Sequence, residues 1–467
     1  MQVTVANFSE AKRNERIDAQ FFKPEYVHSY DKVISGRYAL LADIAHITDG
    51  NHLKIAEDFD ASEGVRYLRG QDLSADMMLN DRNIVYIPET VYDTLKRSHI
   101  YKNDVLITIV GANTGLVGLV YSPPSKLVAN CKLGIARAYK GKILAGYLYA
   151  FLASKYGQHQ LLRSIRGGGQ TGLILPDMRQ LVIARSSDSF ENAVNDIVTS
   201  CHEKALESRE TFFRAQEFLL SALGLSNWQP KHTLSFIKNY SDTVMADRID
   251  AEFFQPKYDE IVKAIKSYPS GYSFVGKEFK QNKSVLKLDP EQTYRYVEIG
   301  SINVSTGEVE SSEILGSELP ANAKRVLNVN DVIVSKVRTY RGAMALVDKE
   351  GLIGSGAFTV LREHGQINKE TLLTFLRAKP LLALSLKPNT GTSYPVILDD
   401  DILNLPIPLF SEDTQSKVKQ MIAESFYMRK QSKHLLECAK RAVEIAIEKN
   451  ENAAIKWLQE QTKKTVL

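Results

Sequence analysis

The sequence predicts an α+β fold in which two globular lobes and two long helices alternate along the chain. The phrase "RIDAQFFKPEY" (16–26) returns as "RIDAEFFQPKY" (248–258), with eight identities in eleven residues. After each copy, short β-branched runs bounded by Gly, Pro and Asn are followed by a long segment of helical periodicity. A repeat of this extent indicates a tandem duplication whose copies have diverged.

Length and composition agree with a globular protein of several domains. The chain has 467 residues, 44% hydrophobic and 24% charged, and a net charge of +4 without a polycationic segment. It contains neither an apolar run long enough to cross a membrane nor a signal-like start, so we expect a cytoplasmic protein. The three cysteines, Cys131, Cys201 and Cys438, lack metal-binding spacing, which favours buried free thiols.

The first lobe, residues 1–185, contains three strand-like runs, "VLITIV", "LVGLVY" and "KLGIARAY", and a helical segment at 145–165. The second lobe, residues 233–409, repeats this order. "NDVLITIVGANTG" (103–115) matches "NDVIVSKVRTYRG" (330–342), and a helical segment at 369–386 is interrupted or restarted at Pro380. Both lobes are therefore predicted to be α+β.

Each lobe is followed by a predicted long helix, in the segments 186–232 and 410–467. Apolar residues recur every three or four positions in both, and the second follows a heptad rich in Ala and Ser. A helix of about 55 Å, at 1.5 Å per residue, cannot bury such a stripe alone. The first segment is net acidic and the second net basic, so antiparallel pairing with each other is favoured over packing on another subunit. The predicted architecture is a dumbbell with pseudo-two-fold symmetry.

A search for catalytic motifs indicates a non-catalytic chain without a metal or cofactor of its own. "YSPPSK" (121–126) lacks the Asn of an amino methyltransferase motif, and "GYSFVGKE" (271–278) has Glu278 where a P-loop needs a hydroxyl. The acids of "DDD" (399–401) fit a helix N-terminus. The nine His residues show no metal or triad spacing.

Two pairs of loops occupy matched positions but differ in side chains, as two related readers of different DNA sequences would. "RSIRGGGQTG" (163–172) corresponds to "LKPNTGTSYP" (386–395), and "VGANTG" (110–115) to "VRTYRG" (337–342). Such loops can bring backbone N–H groups to phosphate and polar side chains to bases. The alternative interpretation is a set of ordinary glycine-rich turns and solvated charges. The candidate DNA-contacting residues are Lys54, Asn113, Thr114, Arg166, Gly168, Gly169, Gln170 and Thr171 in the first lobe, and Lys280, Lys283, Arg338, Tyr340, Arg341, Lys387, Thr390, Thr392, Ser393 and Tyr394 in the second.

The order of lobes and helices, both "NDV" segments and "GTSYPVILDDDILNLPIPLF" (391–410) resemble the specificity (S) subunits of type I restriction–modification systems. The resemblance covers nearly the whole chain, although the first lobe lacks an "IPIP"-like ending. It implies two target-recognition domains, 1–185 and 233–409, each reading half of a bipartite double-stranded DNA site. The segments 186–232 and 410–467 would be spacer helices that dock adenine methyltransferase (M) subunits, with restriction/translocase (R) subunits in the larger assembly. S-adenosylmethionine, ATP and magnesium would belong to those partners.

Three alternatives remain open from the sequence. The chain could be the recognition part of a related methyltransferase or nuclease assembly, or a stand-alone enzyme with an unrecognised site. It could also be a coiled-coil protein-interaction scaffold that does not bind DNA. A scaffold predicts no salt-dependent DNA binding, because no phosphate contacts would release counterions.

Overall fold

The computed structural model describes residues 11–12, 15–59, 63–73, 79, 84–167, 171–389 and 394–465. The chain divides into two compact units: unit 1 comprises Met1–Glu207 and Tyr427–Leu467, and unit 2 comprises Ser208–Phe426. Each unit buries a hydrophobic core of its own. The division cuts both long helices, so each unit contains part of both.

Unit 1 contains three small sheets. A four-stranded antiparallel sheet has the order β2-β8-β5-β6, a three-stranded sheet has the order β4-β3-β7 with β3 and β7 parallel, and β1 pairs with β9. The strands are β1 (Tyr38–Leu40), β2 (Ala45–Asp49), β3 (Val65–Leu68), β4 (Val85–Ile87), β5 (Asp104–Thr108), β6 (Val117–Leu119), β7 (Leu127–Ala129), β8 (Leu133–Ala138) and β9 (Val182–Ala184).

The helix Ala145–Ala153 is buried over most of its length and packs against β5, β6 and β8 of the four-stranded sheet. The predicted helix over 145–165 is two helices, because Ser154 ends the first and caps the second through its hydroxyl. The helices are α1 (Pro24–Ile34), α2 (Leu41–Ile44), α3 (Glu89–Thr94), α4 (Ala145–Ala153), α5 (Lys155–Arg163) and α6 (Leu175–Arg179), followed by the first long helix, α7 (Asp188–Ala222).

Unit 2 repeats this order of elements. Its strands are β10 (Tyr272–Phe274), β11 (Phe279–Gln281), β12 (Thr293–Val297), β13 (Ser312–Leu315), β14 (Ala323–Leu327), β15 (Val332–Ser335), β16 (Met344–Leu346), β17 (Leu352–Ser355), β18 (Phe358–Glu363) and β19 (Pro406–Pro408). Its helices are α8 (Tyr240–Ala246), α9 (Pro256–Lys266), α10 (Val275–Glu278), α11 (Lys369–Leu376), α12 (Lys379–Leu384) and α13 (Asp399–Leu403). The second long helix, α14 (Glu412–Glu448), follows them along the chain, and α15 (Glu451–Thr465) comes last and belongs to unit 1.

The sheets of the two units correspond strand by strand. The order β11-β18-β15-β16 matches β2-β8-β5-β6, and the β10–β19 pair matches β1–β9. The parallel pairing of β3 with β7 recurs between β12 and β17. In unit 2 this sheet gains β14 at its edge. The duplication predicted from sequence is therefore a duplication of topology.

The long helices α7 and α14 pack antiparallel in both units. In unit 1 the Cys201 thiol donates to the Ser432 carbonyl at 3.1 Å. In unit 2 the Ser208 and Ser425 hydroxyls each donate to the other residue's carbonyl oxygen at 2.7 Å. Cys201 precedes Ser208 along α7, whereas its partner Ser432 follows Ser425 along α14, so the two helices run antiparallel. The small residues of the predicted heptad permit this close approach.

These observations confirm the predicted fold class and the pairing of the long helices within the chain. The second long segment differs in one detail, since α14 ends at Glu448 and α15 begins at Glu451. The domain boundaries at 185, 232 and 409 remain predictions. Among the residues that the structure describes, no helix is long and apolar enough to cross a membrane.

Candidate nucleic-acid interface

A buried aspartate stands at or just before the start of the strand that leads to each predicted turn. Asp104 starts β5 and receives two hydrogen bonds from Arg137 at 2.8 Å. Its counterpart Asp331, just before β15, pairs with Arg362 at 3.0 Å. The residue before each aspartate is an asparagine in the left-handed region, a conformation that Asn tolerates better than most residues. Both strands therefore start in the same way, with an asparagine in the left-handed region followed by an aspartate that an arginine holds in place.

In unit 1 the two predicted loops lie side by side at the far end of β5. The Leu173 N–H donates to the Ile109 carbonyl at 2.8 Å, and Val110 forms a bridge with Gly172. Arg166 and Gly172 exchange backbone hydrogen bonds of 2.8 and 2.9 Å, which close the base of the 163–172 loop. The 110–115 turn and the described ends of the 163–172 loop thus lie against each other.

Unit 2 brings its two loops together in the same way. The Arg338 N–H donates to the Pro395 carbonyl at 2.8 Å, and the Ile397 N–H donates to the Lys336 carbonyl at 3.0 Å. The Arg338 guanidinium also lies 4.9 Å from the centre of the Tyr394 ring, within cation–π range. In each unit, residues more than fifty positions apart in sequence therefore meet at one site.

The side chains that these turns present differ between the units. In unit 1 Asn113 is exposed, and the Thr114 hydroxyl donates to the Gly111 carbonyl at 2.7 Å. In unit 2 the turn carries Arg338, Tyr340 and Arg341, of which Arg341 is exposed. Arg338 has a φ of 49°, which few non-glycine residues adopt. The first turn offers neutral polar groups, whereas the second offers guanidinium groups suited to guanine or phosphate.

The basic residue predicted in each long loop is engaged by its own unit. Arg166 forms a bidentate ion pair with Asp177 at 2.6 and 2.8 Å, and this hydrogen bonding raises the pKa of Arg166. Lys387 lies 3.8 Å from Asp259 and 4.9 Å from the centre of the Phe253 ring. Burial lowers the pKa of the Lys387 ammonium group.

The structure also corrects the alignment of these two loops. The Arg163 guanidinium lies over the Phe21 ring at 4.0 Å, as Lys387 does over Phe253, the matching phenylalanine of the repeated phrase. Lys387 therefore corresponds to Arg163 and not to Arg166. Sequence similarity alone does not determine the alignment of two such glycine-rich loops. These contacts determine which residues correspond.

The remaining predicted residues are dispersed. Thr171 and Tyr394 are exposed within the loops. Lys54 is exposed beyond the end of β2, which lies at the same end of the sheet as the 110–115 turn. Lys280 is in register with Arg362, near the start of β15, and therefore away from the Arg338 turn. The Lys283 carbonyl accepts a hydrogen bond from Arg325 at 3.3 Å.

Six predicted residues lie outside the described residues: Gly168, Gly169, Gln170, Thr390, Thr392 and Ser393. Within the described parts of the chain, there is no group of three or more His, Cys, Asp or Glu side chains that could hold a metal ion.

Two further residues at this site, Arg16 and Arg248, are not among those predicted from the sequence. Each belongs to the repeated phrase, and each binds backbone carbonyls at the beginning of the long loop of its own unit. The sequence feature that could have identified both arginines is the duplicated phrase, because each arginine is the first residue of one copy. Their partners, which lie 149 and 140 positions further along, could not be identified from the sequence.

Comparison with known proteins finds similar solved structures. No protein-family model and no curated protein matches the chain. The chain is similar to the S subunit of a type I restriction–modification system from M. genitalium, at 12% identity and a TM-score of 0.39, covering 88% of this chain and 94% of that one. It is also similar to the HsdS subunit from Thermoanaerobacter tengcongensis, at 14% identity and a TM-score of 0.29, covering 89% and 97%.

A third similar structure is a chain from a study of complex assembly and conformational transition in a type I system. It shares 14% identity with a TM-score of 0.28, and the match covers 88% of this chain and 97% of that one. These structures come from the class of protein that the sequence motifs resemble.

Proposed function

We propose that this chain is the DNA sequence-specificity subunit of a type I restriction–modification enzyme. Unit 1 would read one half of a bipartite double-stranded DNA site and unit 2 the other, while α7 and α14 serve as the spacer. In this proposal the segments 1–185 and 233–409 are the target-recognition domains, and the chain itself carries no catalytic residues.

One observation carries the proposal: the same pair of loops meets at the same place in both units, with different side chains. A shared frame keeps each surface in place, and different side chains give it a different hydrogen-bonding pattern. Base edges are distinguished by such patterns of donors and acceptors. A duplicated frame with divergent loops is therefore suited to two different half-sites.

Partner subunits complete the proposed activity. Two adenine methyltransferase subunits would dock on the paired helices, and restriction/translocase subunits would join the assembly. S-adenosylmethionine, ATP and magnesium would be bound by those partners. Methylation and cleavage are then properties of the assembly, directed to a site by this chain.

A protein-interaction scaffold is the second candidate, and one feature favours it. The helix α8 buries none of its side chains, and Leu234, Ile237 and Met245 around it are each more than 80% exposed. Apolar surface of this kind suits contact with another protein. An S subunit also needs protein partners, so DNA binding decides between the two functions.

Co-purification with the neighbouring gene products, followed by genome-wide mapping of methylated adenines, tests the proposal. Replacing residues 1–185 with the equivalent segment of a relative should change one half of the methylated site and leave the other unchanged. The matched exchange of residues 233–409 should change only the other half, because each unit has its own core.

Two results would contradict the proposal. A chimera that alters both half-sites together would show that the units do not read separately. An assembly whose DNA binding is neither sequence-specific nor weakened by salt would favour the scaffold.

A further inference from the structure

The arginine that opens the repeated phrase binds the start of the long loop in unit 1. Arg16 is buried and donates to both oxygens of Asp18, at 2.6 and 3.0 Å. The same guanidinium donates to the Ile165 carbonyl at 2.9 Å and to the Ser164 carbonyl at 3.5 Å. The Phe21 ring lies 4.9 Å away, and the Phe21 N–H donates to Asp18 at 3.0 Å. The phrase therefore folds around its own arginine and turns it toward the loop.

Unit 2 reproduces these contacts with the second copy of the phrase. Arg248 donates to Asp250 at 2.7 Å, to the Pro388 carbonyl at 2.8 Å and to the Asn389 carbonyl at 3.0 Å. The Phe253 ring lies 4.6 Å from the guanidinium, and the Phe253 N–H donates to Asp250 at 3.0 Å. The two carbonyls occupy the positions of Ser164 and Ile165 in the corrected alignment.

The opposite end of each loop is held by the neighbouring turn. Gly172 forms a bridge with Val110 in unit 1, and Val396 forms a bridge with Val337 in unit 2. Each long loop thus has one end fixed by an arginine and the other fixed by the turn against which it lies.

We propose that Arg16 and Arg248 are positioning residues that fix the DNA-reading loops of units 1 and 2, one arginine for each half-site. This inference rests on the proposed function, because it assigns the loops a role in reading DNA. The repeated phrase is then retained in both copies because both loops need the same anchor, whatever sequence each loop reads.

Arginine suits this task better than any other side chain. Its planar guanidinium has five N–H donors, enough to bind a carboxylate and two carbonyls together. A lysine has one nitrogen and can remain near the carboxylate, but it cannot bridge all of these oxygens. Substitution by lysine should therefore preserve the charge and lose part of the anchor.

Hydrogen exchange of the full-length chain tests the anchor without DNA. We expect Arg16→Ala to speed exchange of loop amides in 163–173 by about tenfold, since a hydrogen bond to a charged group changes an equilibrium by about that factor. Arg248→Ala should do the same for 386–397. In each variant the loop of the other unit is the internal control.

Arg137→Ala and Arg362→Ala are the matched control variants. Each removes an arginine from a buried aspartate in the same sheet as the loop's neighbouring turn, at the opposite end of the strand. They should lower the thermal midpoint and leave loop exchange unchanged. If either arginine of the phrase cannot be replaced by alanine in a folded protein, Arg16→Lys and Arg248→Lys should show a smaller increase in exchange, in the same loop.

Methylated-site mapping with the assembled enzyme tests the consequence for reading. Arg248→Ala should relax base preference in one half-site by about tenfold and leave the other half-site unchanged, with Arg16→Ala giving the reverse. Unchanged loop exchange in both alanine variants, or equal relaxation by the control variants, would overturn the anchor. A wild-type assembly without sequence preference would instead overturn the proposed function, and loop exchange would still decide whether the arginines fix the loops.

Discussion

Replacing Asp104 by alanine removes the carboxylate that fixes the start of β5. This side chain is only 1% exposed and accepts two hydrogen bonds from Arg137 at 2.8 Å and one from the Tyr101 N–H at 2.8 Å. The substitution leaves a guanidinium without its counter-charge and a backbone N–H without its acceptor. Both groups then depend on whatever water can reach them.

The expected loss of unfolding free energy is about 3 kcal/mol, at the lower end of the range for breaking a buried ion pair. The lower end applies because the Arg137 side chain is 35% exposed and can be partly hydrated. Asp331→Ala in unit 2 should cost less, about 2 kcal/mol. Its partner Arg362 is 50% exposed, so water can hydrate the guanidinium more easily once the carboxylate is removed.

Urea denaturation of the full-length chain measures this loss, with the tryptophan and circular-dichroism signals followed together. The double variant Asp104→Ala/Arg137→Ala completes a mutant cycle, and we expect a coupling energy of about 1–3 kcal/mol. Asp104→Asn keeps the shape and one acceptor oxygen, so its loss should be intermediate.

Two outcomes would refute the reasoning. A loss below about 1 kcal/mol for Asp104→Ala would place the carboxylate in an environment that water already reaches. Additive effects in the cycle would show that Asp104 and Arg137 contribute independently, so that the pair does not fix the strand.

The remaining predictions concern DNA binding, helix packing and pH. Arg338→Ala should weaken binding to one half-site by about 1–3 kcal/mol if the guanidinium reads guanine, whereas a phosphate contact would weaken all sequences and reduce the salt slope. Lys280→Ala is the control and should have little effect in the same filter-binding assay. Ala215→Leu should overpack the helix pair and cost about 1–3 kcal/mol in urea denaturation, unlike Ala222→Leu at an exposed position of the same helix. Burial lowers the pKa of His159, so the folded state binds this proton less readily than the unfolded state. Stability should therefore fall as the pH is lowered through the usual histidine range, and His159→Gln should reduce that dependence in urea midpoints measured across the range.

The elements that local sequence determines were predicted well. The first long helix was expected within the segment 186–232 and is found at Asp188–Ala222, because its apolar period runs without Pro or Gly as far as Leu223. The strands after both "NDV" segments were likewise expected near their observed positions. The antiparallel pairing followed from the need to cover two apolar stripes.

Contacts between distant segments could not be predicted in the same way. The partnership of Arg166 with Asp177, or of Arg248 with the Pro388 carbonyl, depends on how the chain folds back. Every residue has a backbone carbonyl, so the sequence does not show which carbonyl an arginine binds. The repeated phrase therefore indicates a shared structural element but not the loop contacts of Arg16 and Arg248. The sequence likewise does not show that two basic loop residues, Arg166 and Lys387, are engaged by their own units.

The reciprocal contact between Ser208 and Ser425 has a consequence for how the protein can evolve. Each hydroxyl donates to the other residue's carbonyl, as two identical chains do across a two-fold axis. A true homodimer with such an interface must carry the same loop twice, and under the proposed function it would be confined to palindromic targets. Here the two halves are encoded separately, so one loop can change by mutation or recombination while the other is untouched. Under the proposed function, the fused duplication would permit asymmetric targets, and the number of attainable specificities would be the product of the choices available to each half.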